Sequence, residues 1–149
     1  MTEAIVRSAA EHDLPEVLNL YRHLHPHDPQ LETITAERVW STLLSSSFMT
    51  VIVAQAEELI VSSCTLAIVP NLSRGGRSYG VIENVVTHAN YRRLGLARRV
   101  LTRALEVAWQ ADCYKVLLTT GSKQETTLRF YEEAGLHRGG KTYFEVRRP

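Results

Sequence analysis

The sequence predicts an α/β (α+β) fold: a mixed, mainly antiparallel central sheet of about six to seven strands with helices on both faces. Three observations lead there. Two β-branched runs, MTVIVAQA and LIVSSCTLAIV, flank the short polar break Glu57-Glu58 and read as a β-hairpin. Further on, strand-like stretches alternate with helical patterns, GVIENVVT before LARRVLTRALEVAW and YKVLLTT before ETTLRFYEEA. The first of those helical patterns is strong, with Ala97, Val100, Leu101, Ala104, Leu105 and Ala108 recurring at i, i+3, i+4, i+7, i+8 and i+11.

Taken in order, AIVRSA is a short first strand. Asp13 stands where it can cap a helix with Pro15 in its first turn, and Leu14, Val17, Leu18, Tyr21 and Leu24 share one face. HPHDP ends it. A second helix over residues 35–45 carries Val39, Trp40, Leu43 and Leu44 on its apolar side. The hairpin follows, and Pro70 closes its second strand. PNLSRGGRSY, with two glycines between Arg74 and Arg77, reads as a mobile basic flap. The next strand is apolar except for Glu83 and Asn84 in its middle. After the strong helix come the strand YKVLLTT and the helix ETTLRFYEEA, which Gly135 can stop by taking the left-handed conformation. YFEVRR supplies a last strand.

Composition sets bounds. A chain of 149 residues, 44% of them hydrophobic, buries one sizeable core, so a single domain over residues 1–149 is expected. A formal net charge of +1 gives no overall field for nucleic acid or for a membrane surface, so any anion site has to be local. No apolar run reaches the roughly 18 residues that span a bilayer, and MTEAIVRSAAEHD has no basic, apolar leader. Cys64 and Cys113 form neither a zinc spacing nor a disulfide framework. These readings suit a reducing, cytoplasmic setting.

The stretch NYRRLGLARRVL puts small residues and dense positive charge at one helix entrance. The first turn of a helix leaves backbone N–H groups without intrahelical partners and carries about half a positive charge. A pyrophosphate reaches those groups only where the side chains are small; Gly95 has no Cβ and Ala97 little more. Arg92, Arg93, Arg98 and Arg99 add charge around the rim. The stretch therefore reads as a diphosphate cradle. It has neither the Gly-Lys-Ser/Thr ending of nucleotide-hydrolase phosphate loops nor the three-glycine dinucleotide pattern. The plainer alternative is a tight turn relieved by Gly95, followed by a solvated helix face.

VIENVVTHANYRRLGLARRVL resembles the acetyl-CoA signature of the GNAT superfamily of N-acetyltransferases, a strand leading through an Arg/Gln-x-x-Gly-x-Gly/Ala turn into a helix, matched here by Arg92, Gly95 and Ala97. RFYEEAGLH is similar to that superfamily's Tyr-x-x-x-Gly-Phe motif, at Tyr131, Gly135 and Leu136. The order and spacing of the elements extend the resemblance over nearly the whole chain. It implies a ternary complex in which an amine of a small molecule attacks the thioester of acetyl-CoA directly, without a metal. It implies that the pyrophosphate sits on the turn Arg92, Arg93, Leu94, Gly95, Leu96 and Ala97, mostly on backbone amides. The pantetheine arm would add to the strand at Val85, Val86 and Thr87. Gln124 stands where many members have an Asn that touches the cofactor, and Thr127 where they have Ala. A homodimer is compatible with the resemblance.

IENVVTHANYRR and CYKVLLTTG look closest to the glucosamine-6-phosphate N-acetyltransferase branch. A phosphosugar needs a cationic pocket, for which Arg74 and Arg77 are candidates, with Asn84 beside them in the substrate-binding set. Another small amine, an amino-acid-like antibiotic, or a peptide N-terminus or lysine remains an alternative acceptor. A non-catalytic sensor that binds CoA or a nucleotide is the reading from a different class. Acid–base groups beside the thioester separate the two. Glu83, costly in an apolar strand unless it has a task or a partner, is the candidate base, the alternative being a solvent-facing or ion-paired strand residue. Tyr131 matches the family's tyrosine that protonates the departing thiolate; its alternative is a packing aromatic beside Phe130. RHLHPHDP gathers His23, His25, His27 and Asp28, but Pro26 breaks regular geometry and no second cluster completes a metal site, so a pocket-lining or solvated role is expected.

Overall fold

The β-branched runs become strands in the computed structural model, which describes residues 3–149. By their contacts the described residues form two compact units, one ending at Leu118 and the other spanning Thr119–Pro149. The first unit holds β1 (Ile5–Ser8), β2 (Met49–Ala56), β3 (Leu59–Val69), β4 (Tyr79–Thr87) and β5 (Val116–Leu118) in the sheet order β1-β2-β3-β4-β5. The first four strands pair antiparallel and β5 lies parallel to β4, so the sheet is mixed and mainly antiparallel as expected.

Five strands stand where six to seven were expected. YFEVRR joins no ladder: Tyr143, Phe144 and Val146 are 61%, 86% and 95% exposed. Its polar groups turn to one another, Tyr143 Oη donating to Glu145 and Arg147 pairing with the same carboxylate. Period-two alternation makes a strand only where a neighbour supplies backbone partners.

Helices cover both faces of the sheet. On one side α1 (Leu14–Tyr21) and α2 (Thr33–Ser45) bury Val17, Leu20 and Trp40 against Val51, Val53, Ile60 and Val86. On the other lies α4 (Leu96–Gln110), which buries Leu96, Val100, Leu101, Ala104 and Ala108, close to the periodic set read from the sequence. Gly80 is where α4 and the sheet approach most closely: a Cβ there would meet Leu66 at 3.1 Å, Val116 at 3.2 Å and Ala108 at 3.7 Å. Leu101, with no exposed surface, lies at the centre of this layer.

Three local expectations change. Val39 is 46% exposed, because α2 turns Ala36 and Trp40, one helical turn apart, to the core. The Asp13 carboxylate makes no cap bond to α1; it accepts both Arg7 Nη groups (2.7 and 2.9 Å) and the Ala10 N–H (2.7 Å) instead. A guanidinium fork outcompetes a lone backbone donor. The segment expected as a flap holds one defined turn, α3 (Ser73–Gly76), with Arg74, Gly75 and Gly76 at φ 55°, 72° and 77°. The second unit contains α5 (Glu125–Glu133), ended as expected by Gly135 at φ 103°.

Candidate functional site

The first unit builds its site around one irregularity in β4. β3 and β4 pair as Thr65↔Glu83 and Ser63↔Val86, so β4 carries one extra residue there, and Asn84 takes a left-handed φ of 55°. The insertion reverses the alternation of side chains: Ile82 stands opposite Leu66 on the α4 side, whereas Val86 joins the α1 core from the other. β4 also loses its second neighbour at this point. It pairs with β5 only at Gly80, Val81 and Ile82, so residues 83–87 keep β3 on one side and present the other as a strand edge.

Glu83 and Asn84 are both exposed at the bulge. Glu83 lies opposite Thr65. The Tyr21 hydroxyl, from the last residue of α1, lies towards Thr65 and Asn84; burial raises its pKa, and these polar neighbours oppose the rise. At the far end of the edge, the buried Ser62 hydroxyl donates to the Val86 carbonyl (3.1 Å) and meets Thr87 Oγ1 at 2.9 Å. Burial pushes the nearby Cys64 thiol up to about 12, which makes it inert as a nucleophile.

The edge runs directly into the cradle. A 3-10 turn, Ala89–Tyr91, precedes Arg92, whose Nε donates back to the Thr87 carbonyl (3.3 Å). Arg93 and Gly95 both have positive φ, 63° and 78°, and Gly95 is the residue before the first turn of α4. No side chain caps that turn. The first main-chain bond into it runs from Arg99 N–H to Gly95 O (3.1 Å), so the N–H groups of residues 95–98 have no intrahelical acceptor. Nothing lies within 4 Å of where a Gly95 Cβ would stand. Leu94 and the four flanking arginines are exposed, and Leu96 is buried. Gly95 and Arg98 also line a groove of about 390 Å³ with Val6, Arg99, Thr102, Arg103 and Glu106. Arg99 is partly committed, its Nη2 donating to the Ala4 carbonyl (2.9 Å).

Arg74 and Arg77 lie before the start of β4. Arg77 pairs with Asp112 (2.8 Å), and Arg74 stands 5.7 Å over the Tyr114 ring. In the second unit, Gln124 is the residue before α5 and makes no side-chain cap bond. Leu128, Tyr131 and Ala134 are all half-buried, as their shared face predicts, and the Tyr131 ring meets Phe130 edge-on at 5.2 Å. Leu136 N–H donates to the Tyr131 carbonyl (3.1 Å), and Arg138 grips Glu125 (2.8 Å) and Glu132 (3.3 Å), which fixes the end of this motif.

Sequence reading missed Ser62 and His88; it gave Tyr21 only as an apolar helix residue and His23 only a pocket-lining or solvated role. His23 Nδ1 accepts from Ala89 N–H (3.4 Å) and its ring stacks on His88 at 4.2 Å, which takes one of the three clustered histidines to the cradle entrance. Among the described residues no group of three or more His, Cys, Asp or Glu side chains is placed to hold a metal ion.

The arrangement suits a nucleotide diphosphate at the start of α4 and an extended, amide-bearing chain along the β4 edge. Comparison with known proteins places the chain in a family. The model of the acetyltransferase (GNAT) family matches residues 14–136. A glucosamine 6-phosphate N-acetyltransferase of Trypanosoma brucei brucei is 34% identical over 134 residues, covering 87% of this chain and 86% of its own. A structure assigned as an acetyltransferase from Agrobacterium tumefaciens str. C58 superposes with a TM-score of 0.91 at 42% identity, covering 97% of this chain and 99% of that one. A more distant structure, an aminoglycoside N-acetyltransferase in complex with CoA, shares the fold at a TM-score of 0.82 and 13% identity, covering all of this chain (100%) and 97% of its own.

Proposed function

The chain belongs to the acetyltransferase (GNAT) family and is an N-acetyltransferase of that type, and from this we propose that it transfers the acetyl group of acetyl-CoA to the primary amine of a small molecule, glucosamine 6-phosphate first among the candidates. The observation that carries the cosubstrate is the start of α4, where the N–H groups of residues 95–98 precede the first intrahelical bond and no side chain caps them. Residues 92–97 would hold the diphosphate, and the main chain of Val85, Val86 and Thr87 the pantetheine amides. What supports the acceptor is the 34% identity to a named glucosamine 6-phosphate enzyme over most of both chains.

In this reading the cradle and the strand edge fix the thioester, and the amine attacks its carbonyl carbon. The C–N bond forms as the C–S bond breaks. Glu83 takes the ammonium proton, directly or through water, since a protonated amine has no lone pair. Tyr131 donates its hydroxyl proton to the departing thiolate, a role supported by its place four residues before Gly135 in the second motif. Asn84 at the bulge forms the acceptor side. Arg74 and Arg77, expected beside it, stand instead at Tyr114 and Asp112, past the end of α4 that lies away from the cradle, so a phosphate held by them is not supported within one chain.

The deciding experiment measures acetyl-CoA binding by calorimetry and CoA release with an amine panel that includes glucosamine 6-phosphate, glucosamine, an aminoglycoside and a peptide. Release with glucosamine 6-phosphate well above glucosamine supports the full reading. Preference for another amine removes the phosphosugar and keeps the acetyltransferase; binding without release for any amine favours a sensor.

A further inference from the structure

Two imidazoles meet at the entrance to the cradle. His23, in the turn after α1, stacks on His88 with ring centroids 4.2 Å apart and planes tilted by 42°, and Tyr91 closes on His88 edge-on at 5.4 Å. Each ring also accepts a backbone hydrogen bond at Nδ1. Ala89 N–H donates to His23 (3.4 Å) and Asn90 N–H to His88 (3.1 Å). Together with Tyr91 N–H to His88 O (2.9 Å), these bonds fix the three-residue turn that delivers Arg92 and the cradle behind it.

A ring that accepts at Nδ1 has to be unprotonated there. The proton that makes an imidazolium adds to that atom and sets two donors face to face, so the bond is lost. The charges acting on His88 besides are those of His23 and Arg92, both positive when present, and with burial they favour the neutral ring; the Tyr91 phenol faces it from the turn itself. A stack this close holds two protons only at the expense of like-charge repulsion.

We propose that His23 and His88 are positioning residues of the cradle: packed against each other they clamp residues 89–91, and protonation of His88 opens the clamp, so that affinity for CoA falls at low pH. This rests on the acetyl-CoA reading of the cradle. Its sign is distinctive. An imidazolium that merely neighboured a diphosphate would strengthen binding at low pH; a clamp weakens it.

The test compares wild type with the His23→Asn/His88→Asn double variant, because Asn Oδ1 accepts the same N–H bond without titrating. CoA dissociation constants are measured by calorimetry at about pH 7.5 and about pH 5.5, on either side of the usual histidine value of about 6.5. Titration of the ligand's own phosphate is common to both proteins. Wild type is expected to lose between about twofold and tenfold more affinity than the double variant, tenfold being what one coupled proton of ordinary histidine pKa explains over that interval and the lowered His88 value making it less. Amide exchange at Ala89 and Asn90 in the ligand-free proteins gives an independent readout. Corrected for intrinsic rates, wild type loses protection at the lower pH and the double variant keeps it. Equal pH profiles in the two proteins, or affinity that rises at low pH in wild type alone, overturn the proposal. Failure of wild type to bind CoA at pH 7.5 counts against the cradle reading instead, and the exchange data then decide the clamp: pH-dependent protection upholds it, pH-independent protection ends it. If the double variant does not fold, single His88→Asn is judged by the same comparison.

Discussion

At Gly95 two demands fall on one residue. Its φ of 78° disfavours any side chain, and the open space around its missing Cβ is where a diphosphate would approach the N–H groups of residues 95–98. Gly95→Val should leave a folded protein, destabilised by about 1–2 kcal/mol for the left-handed conformation. It should also lose at least about tenfold in acetyl-CoA affinity by calorimetry; unchanged binding would remove the site. Glu83 is exposed at the bulge, and Glu83→Gln is expected to lower turnover about a hundredfold or more if it is the base. Wild-type rates across the pH range would take it out of the mechanism. Both residues could be read from the sequence because each breaks its own surroundings, a carboxylate in an apolar run and the smallest residue among arginines. Ser62 and His88, and the partners of Tyr21 and His23, could not. Each acts on a backbone or side chain far away in the chain, and a lone tyrosine, serine or histidine carries no local trace of such a partner.

At the scale of the element, β4 divides into a half paired on both sides and a half paired only with β3. Period-two reading finds the strand but not the extra residue, because a bulge changes the parity of the pattern without removing its apolar character. The hint was the residue type: Asn tolerates left-handed φ far better than the β-branched residues around it. Asn84→Gly should therefore keep the bulge and lose only what the amide itself contributes, whereas Asn84→Val should in addition cost about 1–3 kcal/mol and most of the activity. Melting temperature and turnover measured on both variants check this; equal behaviour of the two would show that the φ at residue 84 is unimportant. α4 was the most legible element: Val100, Leu101, Ala104 and Ala108 of its buried stripe follow from helical spacing, and Leu96 alone was not read. YFEVRR was the least, since its alternation gives no clue to whether a partner strand exists.

For the molecule as a whole, the pair Arg7–Asp13 ties β1 to the start of α1. The Arg7 hydrogen bonds hold the Asp13 carboxyl below its ordinary value, with the Ala10 N–H helping. A carboxyl lowered in the folded state adds stability above its unfolded value of about 3.9 and loses it as pH falls further. Asp13→Asn should lower stability by about 2–4 kcal/mol near neutrality, and the difference from wild type should shrink below about pH 4. Denaturant melts at several pH values read this directly, and a constant difference down to pH 2 would contradict it. Among the described residues no helix is long and apolar enough to cross a membrane. The uncapped start of α4 has a practical consequence at the bench. Backbone donors without an intrahelical acceptor attract small anions, so inorganic phosphate or sulfate should act as a weak surrogate cap. The protein is expected to melt higher in phosphate than in chloride at equal ionic strength, and its KM for acetyl-CoA to rise in phosphate by competition. Gly95→Val should abolish both effects, and a melting temperature indifferent to phosphate would mean that the first turn of α4 does not attract anions.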